Sequence, residues 1–103
     1  MHDAAMLDAI HAAISAADAV TVALAGQRSA DPDHGRAADL LDEVGGRSSE
    51  VRAHARQLRQ LLGRKNAVEY ESRRATAREA ADAVKRADRL VAWASGVVEA
   101  AKL

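Results

Sequence analysis

Cysteine and phenylalanine are absent from the sequence, proline occurs once, and the only aromatic residues are Tyr70 and Trp93. Without cysteine the chain cannot form disulfides, use a thiolate nucleophile or build a cysteine-based zinc site. The scarcity of aromatic side chains argues against a β-sandwich and against a platform for stacking nucleobases. Alanine and arginine are plentiful instead, and this composition favours helices. We therefore expect an all-α protein.

Histidine is the remaining soft metal ligand, and it occurs at four scattered positions: His2, His11, His34 and His54. No two of them have the spacing that places two zinc ligands on one face of a helix. We therefore predict no metal and no cofactor.

Long apolar runs are also missing, since none approaches the roughly 18 to 20 residues needed to span a bilayer. The N-terminus, Met1-His2-Asp3, has neither the basic region nor the apolar segment of a secretion signal. We expect a cytoplasmic protein with no membrane partner. Its length suits one domain over residues 1–103, with a modest core.

The net charge is zero, but the charges are segregated along the chain. Residues 1–46 carry eight acids and two bases, residues 47–78 carry three acids and nine bases, and residues 79–103 carry four of each. One explanation is that the acidic and basic segments neutralise one another across helix faces or between subunits. The other is that the basic middle segment binds nucleic acid or another phosphate-containing partner.

Apolar residues recur at steps of three and four, which predicts four amphipathic helices. The first should span residues 3–25 and end at Gly26, and the second should end at Gly45-Gly46. Ser48 or Ser49 can cap the third. The fourth should start at a capping box formed by Thr76 and Glu79 and end near residue 101. Because short connections make neighbours run in opposite directions, we predict an antiparallel up-and-down four-helix bundle.

The third and fourth predicted helices carry apolar stripes. The stripe residues are Val51, Ala55, Leu58, Leu61 and Leu62 on the third helix, and Ala80, Val84, Ala87, Val91, Ala94 and Val98 on the fourth. On the fourth helix we expect Trp93 to be a half-buried packing or interface anchor. The first and last helices are rich in alanine, which lets helices approach closely but leaves little large apolar area inside one chain. We therefore expect a homodimer to supply further burial.

A cationic stripe occupies the other face of the third helix. Arg52, Arg56 and Arg59 recur at helical spacing, and Arg64 and Lys65 follow them. Such a stripe can follow a phosphate backbone and bind RNA without sequence preference. The alternative is a solvated or paired face, because Asp39, Asp42 and other acids are available as partners.

Several segments together resemble the HEPN superfamily of small prokaryotic helical domains. They are Asp33-His34, residues 38–41 (ADLL), residues 61–70 (LLGRKNAVEY), and the stretch from Thr76 to Trp93 with residues 79–84 (EAADAV) and 87–91 (ADRLV). The resemblance covers nearly the whole chain. It implies a helical bundle that dimerises, often beside a nucleotidyltransferase-like partner in toxin–antitoxin systems. It also implies, for many members, RNA cleavage without a metal.

Nuclease members of the family carry arginine, four to six residues, and then histidine before the last helix. Arg64 and Asn66 resemble the start of that motif, but the positions where histidine is expected hold Glu69, Tyr70 and Glu71. Without an imidazole, proton transfer to and from the RNA near neutral pH lacks its usual group. Arg64, Asn66 and Tyr70 are therefore a degenerate form of the motif.

Arg28 and His34 do have the spacing of the motif, but they come earlier in the chain. The alternative is that Arg28 is an exposed cation in a loop and His34 is a residue in the first turn of a helix, so that the spacing has no functional meaning.

Two functions remain open. One is a dimeric HEPN-like binding or interaction module in a toxin–antitoxin, defence or RNA-related context. The other is a metal-independent ribonuclease that uses Arg28 with His34, or Arg64 with Tyr70, in a cleft at the dimer interface. The chain can also be one half of an obligate hetero-complex, an arrangement that is compatible with either function.

Overall fold

The computed structural model describes residues 2–27, 36–70 and 74–102, except for the side chains of residues 69 and 70. It contains four helices: α1 (His2–Ala25), α2 (Arg36–Gly45), α3 (Ser49–Tyr70) and α4 (Ala77–Ala101). The described residues form no strand. The prediction of an all-α four-helix bundle is confirmed.

Local sequence signals explain where the helices begin and end. Thr76 accepts a hydrogen bond from the backbone N–H of Glu79 at 3.1 Å, and the Glu79 carboxylate accepts one from the backbone N–H of Thr76 at 3.1 Å. This reciprocal pair is the predicted capping box. The Ser48 hydroxyl accepts from the N–H of Val51 at the start of α3. Gly26 (φ 67°) and Gly46 (φ 55°) take the left-handed conformation just after α1 and α2.

Hydrogen bonds between helices define the directions in which they run. The Trp93 indole bonds to Glu50 and Arg86 bonds to Gln57, so α3 and α4 are antiparallel. A short turn also makes α2 and α3 antiparallel. At the other end of the bundle, the Asp3 carboxylate accepts a hydrogen bond from the backbone N–H of Ala75 at 2.6 Å. Because both helices start at this end, α1 and α4 are parallel.

One connection therefore departs from the predicted up-and-down order. Both α2 and α4 are antiparallel to α3, so α2 and α4 run in the same direction. Because α1 is parallel to α4, α1 and α2 are also parallel. Ten residues, 26–35, separate α1 from α2, and an extended chain of that length reaches up to about 33 Å. α1 is about 36 Å long for its 24 residues and α2 only about 15 Å for its ten, so the chain returns over only part of the length of the bundle. The connection is long enough to bring the chain back along the bundle.

The core lies between α1 and α4 and is closed by α2 and α3. The predicted third-helix stripe is buried, as are Met6, Ile10, Ala13, Ala17 and Val20 of α1. On α4 the buried stripe is Ala80, Ala83, Ala87, Leu90 and Ala94. Val84 and Val91, which we expected in the core, are 39% and 40% exposed. The buried stripe of α4 is centred on its alanines and Leu90, which leaves these valines at the surface.

α3 continues through Gly63 without interruption and ends at Tyr70. Lys65, five residues before that end, is buried, with 1% of its surface exposed. Its burial differs from the exposure of Arg52, Arg56 and Arg59 earlier on the same helix.

By length and composition, α1 is apolar enough to cross a membrane, with a mean hydropathy of 1.4. We did not expect this, because charged residues interrupt the apolar residues of α1. Core helices of soluble proteins can have the same properties, and nine residues of α1 are buried within this bundle. α1 is therefore the central helix of the bundle.

Candidate nucleic-acid interface

An open groove of about 420 Å³ lies between α2 and α3. Its lining residues are Asp42, Ser49, Arg52, Arg56 and Arg59. The three arginines follow the predicted cationic stripe at steps of four and three, and all three are exposed. The structure thus brings together the three arginines that the sequence marks as phosphate-binding candidates.

Acidic side chains of α2 occupy part of this arginine stripe. Arg59 lies 3.0 Å from an Asp39 carboxylate oxygen and 2.9 Å from an Asp42 carboxylate oxygen. Its hydrogen bonds to Asp39 and then to Asp42 raise the pKa of the guanidinium above its ordinary value. Arg52 is 3.9 Å from Asp42, a looser contact between an exposed guanidinium and a half-buried carboxylate. The proposed neutralisation between acidic and basic segments therefore occurs at Arg59 and only weakly at Arg52.

Arg56 lies between these two arginines and has a different environment. Its side chain is exposed and contacts no carboxylate among the described residues. An exposed guanidinium without an acidic partner can form a bidentate contact with a phosphate. Arg56 is therefore the cation of the groove that is most available to a ligand.

The degenerate motif before α4 does not form a site in the described part of the chain. Arg64 Nη1 lies 2.7 Å from an Asp82 carboxylate oxygen and is shielded from solvent. Its N–H groups are not aligned for a hydrogen bond, so the contact is an ion pair. Asn66 is two residues further along the same helix, and residues at that spacing point to different sides. Arg64 therefore forms an ion pair with Asp82 of α4 and does not share a site with Asn66.

Other predicted positions lie elsewhere. Arg28 and His34 are outside the described residues, as is the side chain of Tyr70. Lys65 is buried, so we leave it out of the exposed arginine surface.

Asp82 makes ion pairs with two arginines, because Arg86 Nε also lies 2.9 Å from its carboxylate. Contact with Arg64 is the largest influence on the pKa of Asp82 and lowers it, burial partly opposes this, and Arg86 lowers it further. A carboxylate with a lowered folded-state pKa stabilises the fold above its unfolded pKa. That stability is lost as the pH falls through the folded-state pKa.

We expect Asp82→Asn to lower the free energy of unfolding by about 1 kcal/mol or less at pH 7, because both pairs are partly exposed. The difference from the parent protein should shrink as the pH falls below about 4, the ordinary pKa of aspartate, and should be lost below the lower pKa that Asp82 has in the folded protein. Urea unfolding at several pH values measures this. Asp88→Asn is the control, since Asp88 is exposed on the same helix and makes no ion pair with a described residue. A loss that is the same at pH 3 and pH 7 would contradict the ion-pair explanation.

A second polar cluster, between α3 and α4, was not predicted from the sequence. The rings of His54 and Trp93 stack with centroids 4.0 Å apart and planes within 4°. Trp93 Nε1 donates to the Glu50 carboxylate at 2.6 Å, and His54 Nδ1 lies 2.8 Å from the Glu50 carbonyl oxygen. Trp93 is half-buried, as expected, and packs against the core. His54 and Trp93 are 39 residues apart in the sequence, so helix periodicity could not predict their contact.

No group of three or more histidine or acidic side chains in the described ranges could hold a metal ion.

Comparison with known proteins identifies no relative of this chain. No protein-family model, no curated protein and no solved structure matches it significantly.

Proposed function

We propose that this chain is a HEPN-like helical binding module that holds RNA in the groove between α2 and α3. The observation that carries the proposal is Arg56, an exposed guanidinium without an acidic partner among the described residues, between Arg52 and Arg59 in an open groove. Backbone phosphates are the ligands that such a row of cations binds best. The HEPN assignment, and with it the toxin–antitoxin or defence context in the cytoplasm, rests on the resemblance of the sequence.

Binding is favoured over catalysis because the described residues of the degenerate motif do not form a catalytic pair. The Arg64 cation is paired with Asp82, and Asn66 is on another side of the helix. A phosphate at Arg64 would have to displace this carboxylate. Metal-independent RNA cleavage also needs a group that transfers protons near neutral pH, and imidazole is the usual one.

The double variant Arg52→Glu/Arg56→Glu should weaken binding of a mixed-sequence RNA at least tenfold at about 0.1 M salt, because it replaces two phosphate-binding cations with carboxylates. The slope of log affinity against log salt should also become shallower. Fluorescence anisotropy with a labelled oligonucleotide measures both quantities.

The matched control is Arg74→Glu/Lys102→Glu, which changes the net charge equally at exposed positions outside the groove. Equal weakening in both double variants would show that only net charge matters and would contradict a groove site. All reactions should contain EDTA and be checked for products. RNA cleavage that is lost in Arg28→Ala, His34→Ala or Arg64→Ala would establish the ribonuclease function instead.

We also propose that the module is a homodimer and that the second copy packs on α1 and α4. An open, mainly apolar groove of about 460 Å³ runs between these helices. Its lining residues are Ala12, Ser15, Ala16 and Ala19 of α1 with Val91, Ala94, Ser95, Val98 and Glu99 of α4. These positions follow steps of three and four on both helices, the pattern of a helix-packing seam.

The occupant we propose is a second α1–α4 pair, because each copy offers the same face. The exposed sides of α1 and α4 run almost the full length of the bundle, and both carry small residues that allow close helix approach. Val84 and Val91 are large apolar residues left at the surface of this otherwise alanine-rich protein. Packing two copies through this face by a two-fold axis would bury them.

Val91→Asp should convert a dimer into a monomer, because it places a charge in the seam. Ala92→Asp is the control, since Ala92 is exposed on the adjacent position of α4 and does not line the groove. Light scattering coupled to gel filtration gives the mass. A parent protein that is monomeric at high micromolar concentration would contradict the homodimer. If the parent protein is monomeric alone and a nucleotidyltransferase-like protein binds to this face, that protein is the occupant and a second copy is not.

A further inference from the structure

A smaller pocket, of about 240 Å³, lies on the opposite edge of α3, between α3 and α4. Its lining residues are Ala53, His54, Gln57, Arg86, Arg89 and Leu90. None of these is acidic, although Asp82 and Glu50 are nearby on the same two helices. The pocket is distinct from the α2–α3 groove, with which it shares no lining residue.

Arg86 is held in one orientation at the wall of this pocket. Its Nε pairs with Asp82 at 2.9 Å, and its Nη1 donates to the side-chain oxygens of Gln57 at 2.6 Å and Gln60 at 2.8 Å. No described residue accepts a hydrogen bond from its Nη2. Because the Gln57 oxygen accepts from Arg86, the amide N–H groups of Gln57 remain available as donors. Arg86 and Gln57 thus form a fixed set of donors with unused capacity.

Arg89 adds a second cation to the pocket. It lies one helical turn beyond Arg86 on α4, is exposed, and contacts no acid in the described part of the chain. A free guanidinium beside an oriented one is suited to an oxyanion with several acceptor oxygens.

His54 lines the same pocket and connects it to Trp93. Its Nδ1 lies 2.8 Å from the Glu50 carbonyl oxygen, which can only accept, so Nδ1 carries the hydrogen of this contact. Stacking on Trp93 holds the ring in place. A ligand in the pocket therefore lies beside a ring that is in direct contact with Trp93.

We propose that this pocket binds a phosphate group through Gln57, Arg86 and Arg89. Three donor side chains line a pocket whose lining residues include no acid, and a phosphate has enough oxygens to accept from all of them. The phosphate can belong to a free or terminal monoester or to an internal phosphodiester of RNA. The site does not depend on RNA binding in the α2–α3 groove.

Trp93 provides the readout, because it is the only tryptophan in the chain and stacks on His54. Its indole N–H signal in an NMR spectrum should shift on titration with inorganic phosphate, with adenosine monophosphate, or with a short RNA lacking terminal phosphates. A shift with the first two alone assigns the site to monoesters, and a shift with the RNA assigns it to phosphodiesters. No shift with any of the three overturns the proposal.

Arg89→Gln should weaken the binding at least fivefold, and Arg36→Gln, which removes an exposed cation of α2, should leave it unchanged. Equal effects of Arg89→Gln and Arg36→Gln would overturn the assignment. Arg52→Glu/Arg56→Glu should retain the Trp93 shift with inorganic phosphate, which separates this test from that of the groove.

Discussion

Leu58→Ala should destabilise the protein by about 3 kcal/mol, one of the two largest effects that we expect from a single substitution. Leu58 is 0% exposed on α3 and packs in the centre of the core. Truncating a fully buried leucine costs about 2 to 5 kcal/mol, because burial is lost and a cavity remains. The surrounding core consists largely of alanines, which are too short to fill the space. We therefore expect a loss nearer the middle of this range than its lower limit.

Thermal and urea unfolding measure this loss. For a domain of this size, about 3 kcal/mol corresponds to a fall in Tm of more than 10 °C. The matched control is Leu24→Ala, since Leu24 is 50% exposed near the end of α1 and should change stability by about 0.5 kcal/mol or less. Equal changes in the two variants would contradict the position of the core.

The same variant tests how binding depends on α3, because that helix carries arginines on one edge and His54 on the other. Below its lowered Tm, Leu58→Ala should retain phosphate and RNA binding, since Leu58 lines neither the groove nor the pocket. Weak binding by the folded variant would show that the two sites need a tightly packed α3.

Local signals made the four helices predictable. Thr76 with Glu79, Ser48, Gly26 and Gly46 act within a few residues of their own positions, so their role can be read from short stretches of sequence. The buried stripe of α3 was predictable for the same reason. Its large apolar residues lie on one side of the helix, and this asymmetry identifies the core side.

Features that depend on contacts between distant residues were not predictable in this way. Around α4 apolar residues occur on several sides, so periodicity alone could not decide that Leu90 is buried and Val91 is exposed. The common direction of α1 and α2 follows from the contact of Asp3 with Ala75, 72 residues away. The phosphate pocket likewise combines His54 with Arg89, which neither helix pattern connects.

Gly45→Ala should be the second strongly destabilising substitution, by about 1 to 3 kcal/mol. A Cβ at this position would overlap Val51 Cγ1 and lie 2.7 Å from Val51 Cβ. Val51 is 8% exposed, and its branched side chain has few alternative rotamers, so it cannot move aside easily. Relief requires the α2–α3 turn to open, and crowding of this kind usually costs 1 to 3 kcal/mol.

Gly63→Ala is the informative control, because a Cβ at Gly63 meets nothing within 4 Å and the residue lies inside α3. Alanine is preferred to glycine in a helix by about 1 kcal/mol, so this variant should be more stable than the parent. The two glycine-to-alanine changes should therefore have opposite signs in urea unfolding. A stabilising Gly45→Ala would mean that the turn is looser than the close contact with Val51 indicates. The burial of Ala37, Ala38 and Leu41 would then have to hold α2 in place without a tight turn, because the exposed pairing of Arg59 with Asp39 and Asp42 contributes little.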